Sequence, residues 1–149
     1  MVWMKNLFTI SVFLLCLLSG TPSSSADFEK GLTAFQGGDY ATALRVWRPL
    51  AEQGEVSAQW NLGLMYFNGI GVLEDKTEAA RYFTLAAKSG YKGAQYNLGR
   101  MFLNGDGIAK DNKEALKWYK SAAEQGLAEA QTSLGTLYAK GEVVEQNFT

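Results

Sequence analysis

Histidine is absent from these 149 residues, and the single cysteine, Cys16, lies in an apolar leader. Beyond that leader the chain cannot assemble a Ser-His-Asp or Cys-His nucleophile, an imidazole proton shuttle, or a zinc site built from thiolates and imidazoles. One sulfhydryl also excludes an intramolecular disulfide. An excess of positive charge is missing too: 14 basic side chains face 15 acidic ones, a net charge of −1. With Lys5 removed in the leader, thirteen face fifteen and the net becomes −2. Nucleic acid is therefore not an expected partner, because its phosphates call for a basic face. No apolar run reaches the length of a comfortable membrane span.

What is present begins with that leader. Lys5, the apolar run from Leu7 to Leu18, and the small residues Ser23, Ser24, Ser25 and Ala26 have the charged, hydrophobic and small-residue regions of a secretory signal peptide. Cleavage is expected after Ala26. The protein is then periplasmic or secreted, starts at Asp27, and has no membrane contact once the signal is gone. The remainder, in a chain 47% hydrophobic and 19% charged, suits one soluble domain with a modest core.

The dominant feature is repetition. Residues 55–90 laid over 91–126 without a gap give fifteen identities in thirty-six, among them Ala58/Ala94, Gln59/Gln95, Asn61/Asn97, Leu62/Leu98, Gly63/Gly99 and Gly71/Gly107. A further copy starts at Ala130, Gln131, Leu134 and Gly135. A fixed period of this size marks a solenoid whose units bury their apolar faces against one another. The expected organisation is a signal peptide over 1–26, a capping helix pair over 27–54, repeats over 55–90 and 91–126, and an incomplete third repeat over 127–149.

Each repeat reads as two helices. Ala58, Leu62, Met65 and Tyr66 share one stripe at about 100° per residue, so they form the buried face of the first helix, with Gly63 placed for close helix approach. The second helix buries Ala79, Ala86, Ala87 and either Tyr82 or Phe83. Its start is marked by Asp75 as cap and Glu78 at the third helical position, an arrangement repeated by Asp111 and Glu114. Pro49 lies inside the second helix of the first pair, where the lost hydrogen bond predicts a bend near Arg45.

Two loops invite chemistry and are better explained by structure. Gly69-Ile-Gly71 and Gly105-Asp-Gly107 lack the preceding strand and third glycine of a phosphate cradle, so they read as turns of positive φ. Asn104, Asp106 and Asp111 lack the ligand density and terminal Glu of a calcium loop. No catalytic, cofactor-binding or metal-ligating set is predicted. Asn147-Phe148-Thr149 spells a glycosylation acceptor, better explained as chance.

Taken together, Ala58-Gln59-x-Asn61-Leu62-Gly63-x-Met65-Tyr66, Gly69-x-Gly71-Val72, Asp75, Ala79 and Ala86-Ala87-x-x-Gly90 resemble the Sel-one-like repeat family, a relative of tetratricopeptide repeats. The first pair, with Gly38-Asp39-Tyr40, Ala43, Trp47 and a turn four residues shorter, resembles a tetratricopeptide unit. The resemblance implies an all-α fold, a right-handed α-solenoid of antiparallel helix pairs that serves as an adaptor or scaffold for other proteins. It further implies that the first helices line the concave side.

The residues turning away from the buried stripe on those helices are the expected partner surface. They are Trp60, Asn61, Leu64 and Phe67, then Tyr96, Asn97, Arg100 and Leu103, then Thr132, Ser133 and Thr136. A groove graded from aromatic to polar would hold an extended peptide or protein segment. Trp60, Phe67 and Tyr96 serve equally well as filling between helix pairs, and Asn61 and Asn97 equally well as bonds to a neighbouring repeat's backbone. The alternative function is an envelope enzyme or cell-wall binder using Glu52, Glu55, Asp75, Glu78 and Glu114. Finally, the stripe of Leu134, Leu137 and Tyr138 lacks half its cover, which predicts self-association or capture of a partner at that end.

Overall fold

The computed structural model describes residues 24–141. Seven helices occupy them: α1 Ser24–Gln36, α2 Tyr40–Glu52, α3 Val56–Asn68, α4 Lys76–Lys88, α5 Lys92–Asn104, α6 Asn112–Glu124 and α7 Ala128–Ala139. All but the last have thirteen residues, so each is about 20 Å long at 1.5 Å per residue. Each packs chiefly on its sequence neighbours through short turns, which makes the fold an all-α solenoid of antiparallel pairs. Ser24, Ser25 and Ala26 form the first turn of α1; the rest of the expected leader lies outside the described residues.

Helix starts follow from short side chains that accept hydrogen bonds from free amides. Asp39 accepts from Thr42 N at 3.0 Å, Asp75 from Glu78 N at 2.9 Å, and Asp111 from Lys113 N and Glu114 N. Glu55 caps α3 by accepting from Ala58 N. The reciprocal half of the expected capping box is missing. Glu78 turns instead to Arg81, and Glu114 to Lys117, because a cation one turn away is the stronger partner. The helix α2 runs on through Pro49 to Glu52.

The core divides where the pairs meet. Ala43, Trp47, Leu50, Ala58, Leu62, Met65 and Tyr82 form one buried cluster, and Ala79, Phe83, Ala86, Ala94, Leu98 and Met101 another. Tyr82 and Phe83 are therefore both buried, one serving each cluster. Tyr66, expected in the buried stripe, is only half-buried; it stacks on Tyr82 with ring centroids 5.8 Å apart, and its hydroxyl accepts from Arg48 at 2.8 Å. Small residues let the helices close. A Cβ on Gly63 would lie 2.6 Å from the Phe83 ring, and one on Gly99 2.9 Å from Tyr119.

Successive units are joined by two devices. Gln59 Nε2 donates to the Ala51 carbonyl at 3.0 Å, Gln95 to Ala87 at 3.2 Å, and Gln131 to Ala123 at 3.3 Å, so each first helix is tied to the end of the helix before it. The loop after each first helix also rests on the start of the preceding second helix. Lys76 Nζ meets Asp106 Oδ1 at 3.1 Å there, and a Cβ on Gly107 would come within 2.2 Å of the Lys76 carbonyl carbon.

Candidate functional site

With the core assigned, one face of α3, α5 and α7 remains. Trp60, Asn61, Leu64 and Phe67 are half-buried on α3; Tyr96, Asn97 and Leu103 are half-buried on α5, where Arg100 is exposed; Ser133 is half-buried on α7 between exposed Thr132 and Thr136. All eleven predicted residues thus share the first-helix face. They differ in what they touch.

The aromatic members lean inward. Trp60 packs 5.4 Å from Phe83 and 5.1 Å from Tyr91, Phe67 lies 6.3 Å from Phe83, and Tyr96 lies 5.6 Å from Tyr119. Trp60, Leu64 and Phe67 all cover the second core cluster. They fill the space between pairs with one side and keep the other side open. Arg100 sits over the Tyr96 ring, its guanidinium carbon 5.9 Å from the centroid.

The two asparagines behave differently from the glutamines beside them. Gln59 and Gln95 carry the bonds between units, whereas Asn61 and Asn97 make no hydrogen bond to any described residue. The threonines are partly committed, since Thr132 donates to the Ala128 carbonyl and Thr136 to the Thr132 carbonyl, both at 3.0 Å.

A cavity of about 160 Å³ opens at the α7 end of this face, lined by Leu103, Tyr119, Thr132, Ser133, Thr136, Leu137 and Lys140. Tyr119 and Lys140 were not legible as site residues. Tyr119 stands where Phe83 stands one repeat earlier and reads as core, and Lys140 follows the last turn of α7. Burial pushes the Tyr119 hydroxyl up to about 12, with Tyr96 adding to the rise and Arg100 and a hydrogen bond from Ser133 opposing it. The phenol therefore stays a hydrogen-bond donor across the physiological range.

The acids proposed for an alternative chemistry have structural partners. Glu52 and Glu78 both reach Arg81, at 3.5 and 2.7 Å, Glu114 reaches Lys117 at 3.1 Å, and Glu55 and Asp75 are caps. Among the described residues no group of three or more His, Cys, Asp or Glu is arranged to hold a metal ion. Asp106 is held below the usual carboxylate range by its bond from Lys76 and then by that from Asn104. The C-terminal stripe is mixed: Leu137 is buried, Leu134 half-buried, and Tyr138 exposed at 49%. Val143, Val144 and Phe148, the apolar residues that follow it in sequence, lie outside the described residues, as do Asn147 and Thr149.

Stacked helix pairs, a repeating glutamine tie and an open first-helix face define an α-solenoid repeat protein. The Sel1 repeat family model matches residues 56–91, 93–127 and 128–149, so the chain belongs to the Sel1 repeat family. Its members are generally scaffolds for protein–protein contact. A Sel1 repeat protein from Oxalobacter formigenes is similar at 33% identity and a TM-score of 0.72, over 76% of this chain and 47% of its own. A protective antigen present in uropathogenic Escherichia coli strains, displaying an SLR fold, is similar at 39% identity and a TM-score of 0.75, over 79% of this chain and 26% of its own. This chain thus spans about half and about a quarter of those two proteins. The cysteine-rich protein B of Helicobacter pylori shares the fold at 21% identity and a TM-score of 0.59, over 74% of this chain and 94% of its own. No curated protein matches the sequence.

Proposed function

We propose that the chain is an exported interaction scaffold that holds an extended peptide or protein segment along the free face of α3, α5 and α7, the concave wall of the superhelix. The observation that carries this is the pair Asn61 and Asn97, two half-buried amides one repeat apart, neither bonded to a described residue. Each has donors and an acceptor to offer, which suits the alternating N–H and C=O groups of an extended backbone. Trp60, Leu64, Phe67 and Tyr96 beside them supply apolar area already anchored on the core, so little side-chain entropy is lost on binding.

The test is selection of random peptides of about twelve residues, roughly 40 Å when extended, against the protein. Binders are expected, and Asn61→Ala with Asn97→Ala should weaken them at least about tenfold while leaving the denaturant midpoint unchanged. Failure to select any peptide, or equal binding by the double variant, removes the peptide groove. Export has its own measurement: protein recovered from the periplasm or medium should begin at Asp27, and recovery with Met1 intact would refute cleavage.

A further inference from the structure

We propose that the α7 end of this face is an acid-binding subsite. The cavity beside Tyr119 receives an Asp or Glu side chain of the bound segment, held by the Lys140 ammonium and the paired hydroxyls of Ser133 and Tyr119, with Arg100 attracting it from α5. This rests on the peptide-groove function above and adds the chemistry of the partner.

Charge supports it first. Lys140 is the one charged residue lining the cavity, and it makes no ion pair among the described residues. Arg100 makes no ion pair among the described residues either; it rests on the Tyr96 ring and acts on Asp106 only through its charge. Along the free face, α3 carries no charged residue at all, and α5 carries Lys92 and Arg100 but no acid. Two described acids near this end do not fill the cavity: Asp106 is bound by Lys76 and Asn104, and Glu129 lies at the opposite end of α7 from Lys140; Glu142 and Glu145 lie outside the described residues. Arg81, by contrast, is paired with Glu52 and Glu78.

The second support is hydrogen-bond supply. A carboxylate accepts and never donates, so it needs free donors. Thr132 and Thr136 have given their hydrogens to helix carbonyls, whereas Ser133 bonds to the Tyr119 hydroxyl, which keeps its own proton across the physiological range. One hydroxyl hydrogen of that pair therefore remains, and together with the Lys140 ammonium it faces a space comparable to the ~150 Å³ that holds one benzene, ample for a carboxylate. Bonds from charged or fixed donors to a carboxylate are the stronger kind. The α3 end, by contrast, offers only aromatic and aliphatic surface and two-way amides. The groove is therefore polarised, with an apolar residue of the segment over Trp60 and an acidic one at Ser133.

The experiment uses the same selection from random peptides of about twelve residues. The selected sequences should carry Asp or Glu at a fixed spacing from an apolar residue. Their affinity should fall at least about tenfold with Lys140→Glu and with Asp→Asn or Glu→Gln in the peptide, should persist with Lys140→Arg, and should weaken as salt is raised. Selected peptides without acids, or acidic ones indifferent to Lys140→Glu, overturn the subsite; if they still lose affinity with Asn61→Ala and Asn97→Ala, the groove itself stands. Peptides that bind only after Glu142→Gln and Glu145→Gln would show that the chain's own tail takes the cavity, and would overturn an external partner there.

Discussion

Gln125 Nε2 donates to Gln95 Oε1 at 2.7 Å, completing a side chain whose own Nε2 already holds the Ala87 carbonyl. One repeat earlier the same geometry is unfinished. Gln59 Nε2 holds Ala51, but its Oε1 is buried without a partner, because the position matching Gln125 is Ser89, whose short hydroxyl donates to Leu85 instead. Ser89→Gln should supply the missing donor and raise stability by about 0.5–1.5 kcal/mol, less the small loss of the Ser89 bond. Gln125→Ser should lower it by a similar amount. Urea midpoints of the two variants decide the matter: an unchanged or lowered midpoint for Ser89→Gln would show that water already satisfies Gln59.

Leu98 is 1% exposed and sits in the unit flanked on both sides, whereas Arg100 is two residues on and open to solvent. Leu98→Ala should cost about 2–5 kcal/mol, and Arg100→Ala well under 1 kcal/mol. Equal losses in denaturant melts would mean that the buried and free faces of α5 have been exchanged.

Gly105 and Gly107 both have positive φ, +77° and +66°, yet they should respond differently to a methyl group. At Gly105 the nearest obstacle would be the Lys110 Cβ at 3.5 Å, so Gly105→Ala carries only the conformational strain, about 1 kcal/mol. At Gly107 the methyl would meet backbone of Lys76 at 2.2 Å, which no side-chain rotation relieves. Gly107→Ala should therefore cost clearly more and loosen the contact between the two repeats. Similar midpoints for the two variants would sink the distinction.

The Lys76–Asp106 pair gives that contact a pH signature. The native carboxyl is held below its unfolded value, so its contribution to stability is whole above the unfolded value, about pH 4, and disappears as the pH falls through the lowered native one. Lys76→Met should remove it. The difference in urea midpoint between parent and variant should then be constant at neutral pH and shrink below about pH 4. A difference that persists unchanged at low pH would assign the effect of Lys76 to packing on Phe67, over whose ring its ammonium also lies at 5.7 Å.

The helices, their caps and most of the buried stripe could be read from the sequence because each depends on spacing within one segment: Asp75 with Glu78, Ala58 with Leu62. What escaped depends on pairs of segments. Nothing local separates Gln59, which bridges to Ala51, from Asn61, which does not; only the direction of each side chain relative to the previous helix does so. Gly71 and Gly107 read as turn residues, yet the close approach to Tyr40 and to Lys76 makes the second glycine of each loop a contact between units as well. The proposed partner face is a strip of first-helix positions, each of which could be read within one segment. Its depth at Tyr119 was hidden because that residue belongs by sequence to a second helix.

The glutamine ties have a mechanical consequence. Each unit is fastened to the one before it by a side chain reaching back eight residues, and no described tie skips a unit. Tension applied between the two ends is therefore borne in series, and the weakest junction gives way while its neighbours stay folded. With Gln59 and Gln131 each held by one bond and Gln95 by two, the α2–α3 and α6–α7 junctions part before the α4–α5 one. Stretching a single molecule should then release contour in discrete steps, about 120 Å for each 36-residue repeat, instead of one extension for the whole domain.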